Sequence, residues 1–453
     1  MKASPTPQLD DKASILQAFE ALQKTASAAQ HPSWLESLRK NAASCFAELN
    51  FPTLRDEAWK YTNVEPLIKN SFSFTFEPET EGLVRESIEA LLWGEPEWTR
   101  LVFVNGIYSK ELSKISKKAE GVRIESLRET FLKHPEELER YLARQADFKN
   151  NPFTALNTAF LSDGAFIFIP HGKVLEEPIH LLFISLSPGK KTISQPRNLI
   201  VLGEASQVKI IESHVSSAQD IYFTNAVTEI VLGPAASLDH YKVQRESKKA
   251  FHMATTQTSC DRSSAYHSYS FTFGAGLSRE NLNVALLAEG GSCQLDGLYL
   301  VSDIQHTDHH TVIDHTQPQG MSRQLYKGIL GGRAKAVFNG KIYVRLGAQK
   351  TDAHQINKNL LLTMGATVDT EPQLEIFADD VKCTHGAAVG ELEEAEIFYV
   401  RSRGISEENA RNLLTYGFAS EVVNAVKIEP IRSALDEWVR QALQKETHAK
   451  RAA

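Results

Sequence analysis

Apolar residues recur at helical spacing from Leu9 to Asn50, first as Ile15, Leu16, Phe19 and Leu22, then as Trp34, Leu35, Leu38, Ala42, Phe46 and Leu49. Pro32 and Pro52 punctuate the stretch, which predicts two helices. From there to about Phe148 short strands (Phe72 to Phe76, Leu101 to Val104) mix with helical segments such as Glu136 to Ala146. Residues 1–150 therefore read as an N-terminal helical and α/β domain.

Between about Phe153 and Arg403 the helical period all but vanishes, and short β-branched or aromatic runs alternate with Gly-centred turns. Ile342, Val344 and Leu346 alternate with Lys341, Tyr343 and Arg345, so such a strand has one apolar and one polar face. A loose signature recurs in VLGEASQVKI at Val201, VLGPAASLDHY at Val231, ILGGRAKAVF at Ile329 and LTMGATVDT at Leu362, with Gly203, Gly233, Gly331 and Gly365 unevenly spaced. Turns repeated at this density fit a β-sandwich array or a parallel β-helix. A sandwich should close hairpins with Asn-Gly turns, and the only Asn-Gly dipeptides are Asn105-Gly106 and Asn339-Gly340. The reading for 151–403 is a mainly β core, a parallel β-helix.

After Gly404 the helical pattern returns and defines a C-terminal helical domain, 404–453. Ser406 is a good N-cap, with Glu407 and Glu408 in the first turn where the helix dipole favours carboxylates. Tyr416-Gly417-Phe418 reads as the close of that helix. Glu429-Pro430 opens another, whose stripe of Ile431, Leu435, Trp438, Val439 and Ala442 either docks on the core or faces a partner.

Composition narrows the function. The 453 residues are 42% hydrophobic and 23% charged, enough for a large buried core. Forty-nine Lys plus Arg against 56 Asp plus Glu give a net charge of -7, which argues against a nucleic-acid partner. Four cysteines (Cys45, Cys260, Cys293, Cys383), none in a CxxC pair, are too sparse for a disulfide framework. The first 30 residues lack an apolar signal region and no long apolar run follows, so the expectation is a cytoplasmic protein with no membrane span. Catalytic signatures are missing too: no GxxxxGK[ST] phosphate loop, GxGxxG, HExxH or GxSxG occurs. The chain should not hydrolyse ATP itself.

Two histidine-bearing stretches carry candidate chemistry. In Gln305 to His315, an extended backbone puts Asp308 and His310 on one face and His309, Thr311 and Ile313 on the other. Such residues form hydrogen-bonded ladders on a β-helix, or a metal site if three or four converge. In Val381 to Ala387, Cys383 and His385 are two apart and share a face, about 6.6 Å along the strand. They read either as a buried thiol beside a hydrogen-bonded imidazole or as two ligands suited to iron or zinc. Two ligands cannot close a site, so a metal here needs ligands from another chain.

The segments RDEAWKYTNVEPL at Arg55, NPFTALNTAFLSDGAFIFIPHG at Asn151, and the run from Gly331 through DAHQINKNLLLTMGATVDTEPQLEIFADDVKCTHGAAVG to IFYVRSRGISEENARNLL resemble the SufB/SufD family of the SUF iron-sulfur cluster assembly system, on its SufD side. The resemblance is dense from about Arg55 to Val426. It implies a right-handed parallel β-helix flanked by terminal helical domains, a non-catalytic scaffold subunit that pairs with SufB through the core, and docking of the ATPase SufC on the C-terminal helices. Ser406, Glu407, Arg411, Leu413, Leu414, Tyr416 and Phe418 are then the ATPase contact. Where SufB carries a functional Cys and a Glu, this chain has Asn357 and Gly386. His385 matches the family histidine implicated in cluster assembly at the heterodimer interface, with Cys383 its weaker neighbour. No cofactor is expected to bind the isolated chain tightly, only a nascent cluster or iron at that interface, and a homodimer of the chain alone stays open. Two rival readings remain: a carbohydrate-active β-helix enzyme using Asp308, Asp314 and Arg323, and a metal-binding protein using His306, His309, His310 and His315.

Overall fold

A computed structural model describes residues 9, 11–27, 32–77, 91, 93–187, 189–216 and 219–452. Two helices, Lys12–Ser27 and Ser33–Glu48, open the chain as the apolar spacing predicts. An α/β region follows, with strands Thr99–Val104 and Arg123–Ser126 and helices Leu127–Lys133 and Pro135–Tyr141. The second of these helices is shorter than the predicted Glu136 to Ala146. Beyond it the backbone amides of Ala143, Gln145 and Ala146 turn onto the buried Glu229 carboxylate instead of continuing the helix.

The core is a β-solenoid of eight turns, each contributing one strand to each of two parallel sheets. Phe223 pairs with Phe251, and the same column runs on through Leu277, His306, Lys335 and Thr367, so each turn takes between 26 and 32 residues. One corner explains why no clean glycine period is legible. Ala205, Ala235, Ser263, Gln319 and Lys350 occupy the left-handed region there, with Gly290 the only glycine among these six corner positions. Left-handed backbone costs an L-residue about 1–2 kcal/mol. It is held by a ladder in which each amide donates to the carbonyl one turn on, from Ala205 to Pro234 through Lys350 to Asp380. Gly203 and Gly233 lie beside this corner and Gly331 and Gly365 beside the opposite one, which is why their spacing is irregular.

Two helices fall inside the stretch read as strand and turn. Pro152–Ala159 is capped by Asn151, whose Oδ1 accepts from Phe153 and Thr154. All eight of its residues are buried, so it shows no polar face to betray a helical period. Glu394–Arg401 is the other. The expected alternation holds at Ile342 and Val344, both fully buried, but Leu346 lies past the strand end and is 72% exposed. Helix Glu407–Val423 runs unbroken through Tyr416-Gly417-Phe418, correcting the predicted stop. Ile431, Leu435 and Val439 of helix Glu429–Ala452 join Ala419, Val422 and Val423 against Tyr241, Tyr269, Phe271 and Leu298 on the outer face of one sheet. The apolar stripe is therefore spent on docking.

Candidate functional site

The two ends of the solenoid differ. At the N-terminal end Arg123–Ser126 and Thr99–Val104 extend the sheets, and strands Ile179–Ser185 and Arg197–Leu202 are buried throughout. At the other end Thr367–Ile376 and Lys382–Gly390 are the last strands of their sheets, and neither contains a fully buried residue. Met364 (98% exposed), Ile376, Phe377 and Val389 present apolar surface around this end.

Cys383 and His385 lie on the last strand. Cys383 is half-buried against the interior cluster, and burial pushes its thiol up from the usual range. His385 is exposed at the open mouth, in register with the fully buried Gln355 of the preceding turn. Asn357 is sealed inside, donating to the Tyr326 carbonyl (3.1 Å) and accepting from Thr370 (2.8 Å). A Cβ at Gly386 would meet nothing within 4 Å. Among the described residues the one convergent group of three potential ligands is His134, Glu136 and Glu137, far along the chain from this end. Cys383 and His385 stand as a pair.

The other histidine stretch forms strand His306–His315, with the faces the alternation predicts. His309 and His315 point inward, bonding Thr307 (3.2 Å) and Ser322 (2.9 Å). His306 and His310 face outward, on Thr62 (2.9 Å) and Asp308 (3.0 Å). The four imidazoles do not converge. Nor do Asp308, Asp314 and Arg323, which bond to Arg279 (2.8 Å), Arg345 (2.8 Å) and Asp352 (2.9 Å) respectively. Burial alone would push the Asp308 carboxyl up, but Arg279 and His310 outweigh it and hold it well below the usual range.

On the C-terminal helices Ser406 caps its helix by accepting from Asn409, and Arg411 bridges Glu394 (3.0 Å) and Glu407 (3.4 Å). Tyr416 bonds Asp436, and the Phe418 carbonyl accepts from Lys327 (2.9 Å), so these two hold the helices to each other and to the solenoid. Leu413 is exposed; Leu413, Leu414 and Phe418 line a cleft of about 530 Å³ against the last strand. Sequence reading missed Phe398 and Tyr399, 73% and 62% exposed on helix Glu394–Arg401. An aromatic pair inside a stretch read as strand gave no signal of lying on a helix.

Two family models match the chain. The SufBD protein N-terminal region covers residues 11–181, and the SUF system FeS cluster assembly SufBD core domain covers 184–418. The chain belongs to the SufBD family. An iron-sulfur cluster assembly SufBD family protein of Synechocystis is 35% identical over 89% of this chain and 90% of its own length. The iron-sulfur cluster assembly protein SufD of Escherichia coli is 32% identical over 86% and 89%. The chloroplastic protein ABCI7 of Arabidopsis thaliana is 31% identical over 95% and 90%. No helix among the described residues is long and apolar enough to cross a membrane.

In this SufBD chain the resembling N-terminal segments are mechanical joints. Trp59 stacks on Arg279 (3.6 Å), the Ala58 carbonyl accepts from the same guanidinium (2.6 Å), Thr62 donates to Asp308, and Lys60 and Tyr61 reach Glu371 (2.7 and 3.0 Å). Residues 58–62 thus strap the N-terminal region across the last turns. In the second segment Asn157 donates to the carbonyls of Pro196 (3.1 Å) and Asn225 (2.9 Å), tying the buried helix to two successive turns. Asp163 accepts from the amides of Tyr108, Arg128 and Gly164, yet burial still raises its carboxyl to about 6.

Proposed function

We propose that this iron-sulfur cluster assembly protein is a non-catalytic scaffold subunit that pairs its open solenoid end with a SufB-type sister and carries a SufC-type ATPase on its C-terminal helices. The observation that carries the reading is the uncapped end itself. Two terminal strand edges, an apolar rim and the candidate ligand pair Cys383 and His385 meet there. Solenoid ends that stay soluble alone are normally capped, and free edges recruit further strands. A sister solenoid continuing both sheets would satisfy those edges by strand addition. It would also bring the ligands that an imidazole and a thiol lack, so that a nascent cluster or iron, as cargo, is held between the chains.

The C-terminal helices support the second contact. Their buried stripe is used against the solenoid, while Phe398, Tyr399 and Leu413 stay exposed, and such aromatic surfaces anchor protein interfaces. ATP turnover by the partner would then act on this chain as a shift between two arrangements of the paired cores. A cytoplasmic site of action is part of the same proposal. The test is co-expression with both partners and anaerobic cluster reconstitution, comparing wild type with His385→Ala. A complex formed by both, with cluster lost only in the variant, supports the reading. Full cluster assembly by the partners without this chain would overturn it.

A further inference from the structure

The interior beside His385 holds an incomplete hydrogen-bond chain. Gln324 Nε2 donates to the Thr311 hydroxyl (2.7 Å), and Gln355 Nε2 donates to Gln324 Oε1 (2.9 Å). The chain stops at Gln355 Oε1, which is buried and accepts from nothing. Gln355 is itself fully buried, and leaving a buried acceptor unpaired costs about 1–3 kcal/mol. One turn further along the solenoid, at the same register position, stands His385. Side chains paired across a parallel ladder share a face, and Cys383, two residues before His385, packs against the interior. The next group along the chain of amides is therefore an imidazole.

The chain occupies space made for it. A Cβ at Gly340 would fall 1.7 Å from Gln355 Nε2, so a glycine in mid-strand is what admits the amide. This accounts for Asn339-Gly340, a dipeptide with the look of a hairpin turn that lies instead within Lys335–Val344.

We infer that Gln355 is a positioning residue for His385: its Oε1, unpaired in this structure, accepts one imidazole N–H when the exposed ring turns onto it, fixes the tautomer and ring orientation, and leaves the other ring nitrogen free to hold cargo at the open end. Ligating histidines are commonly oriented in this way by a carbonyl or carboxylate on the second nitrogen. Thr311 and Gln324 anchor the amide from behind, so the acceptor is fixed before any partner arrives. The inference rests on the proposed role of His385.

The experiment compares wild type, Gln355→Met, Gln355→Glu and His385→Ala in the full complex with both partners. The ¹⁵N shifts of the labelled imidazole are read in the isolated full-length chain and cluster yield after anaerobic reconstitution. Gln355→Met keeps length and burial but removes the acceptor. It should turn one His385 tautomer into a mixture and lower cluster yield about 10-fold or more, with unchanged complex formation. Gln355→Glu restores an oxygen acceptor and should restore the single tautomer. A Gln355→Met protein that folds, keeps one tautomer and assembles cluster normally, while His385→Ala does not, overturns the inference and leaves the scaffold reading standing. Normal assembly by His385→Ala instead removes the role of His385 and with it the inference, while the scaffold reading then stands or falls on whether the partners assemble cluster without this chain.

Discussion

The closed and open ends of the solenoid are built from the same kind of strand, yet every residue of Arg197–Leu202 is buried and none of Lys382–Gly390 is. What differs is what lies above them. In a repeat stack each turn is stabilised by its neighbours, so a terminal turn needs a cap or a partner. The closed end is extended by Thr99–Val104 and Arg123–Ser126, and the buried helix Pro152–Ala159 braces its turns from the side. At the open end no further strand follows among the described residues; the strap of residues 58–62 reaches Glu371 from one side, and the C-terminal helices flank the last strand across a cleft. Stability is thus concentrated at one end, and binding capacity is left at the other.

The largest test of that division is the closed end's buried ion pair. Arg197 contacts Glu229 at 2.6 Å with both side chains fully excluded from solvent, and the guanidinium also reaches Asn157 and Thr158 (3.2 Å each). Arg197→Met leaves a buried carboxylate without its cation, which costs about 3–5 kcal/mol. The equivalent change at the open end, Lys341→Met, removes a half-exposed pair with Glu375 and should cost under about 1 kcal/mol. Guanidinium chloride unfolding of the two variants measures the ratio, and comparable losses would mean that the two ends are equally important to folding.

Much of this contrast was invisible along the chain. The period-two pattern exposed the strands because Ile342 and Val344 face in while Lys341 and Tyr343 face out. The corners were hidden because left-handed positions are filled by Ala235, Gln319 and Lys350, residues that advertise no turn. Helix Pro152–Ala159 was hidden by complete burial, and Gly417 misled because glycine is tolerated inside a helix that tertiary contacts hold. Cys383 and His385 were legible as a pair short of ligands. That theirs is the last strand of its sheet among the described residues was not, since its residues alternate like those of any inner turn. Openness is a property of topology.

A second, smaller effect separates the ends by pH. His180, in the first turns, is buried, bonded to Ser213 (2.7 Å) and stacked on Trp93. Burial, aided by the charges of Arg100 and Arg245, lowers its imidazole to about 3. An imidazole that is neutral when folded takes up a proton on unfolding. Its contribution is therefore present above the ordinary value near 6.5 and is lost as pH falls toward 3. At pH 5 the loss is about 2 kcal/mol for this one group. His180→Phe keeps the ring against Trp93 and should reduce the difference in unfolding free energy between pH 7.5 and pH 5 by about that amount. An unchanged difference would place the acid sensitivity elsewhere, with His315, whose imidazole burial lowers to about 4, the first alternative.

The smallest expected effects compare two glycines on adjoining turns near the mouth. Gly340 faces inward beneath Gln355, and an added methyl must displace an amide held by Gln324 and press on the Phe338 ring at 2.9 Å. Overpacking of this kind costs about 1–3 kcal/mol. Gly386 sits on the last strand with open space where its Cβ would be and no left-handed backbone to strain. Alanine there restricts the unfolded chain at no cost to the folded one and should stabilise the isolated protein by about 0.4–1 kcal/mol. Opposite signs for two glycine-to-alanine changes, read as shifts in denaturation midpoint, are what an open terminal turn requires. If Gly386→Ala instead destabilises the isolated chain, the space beyond that strand is filled in solution, most simply by a second copy, and the measurement should then depend on protein concentration.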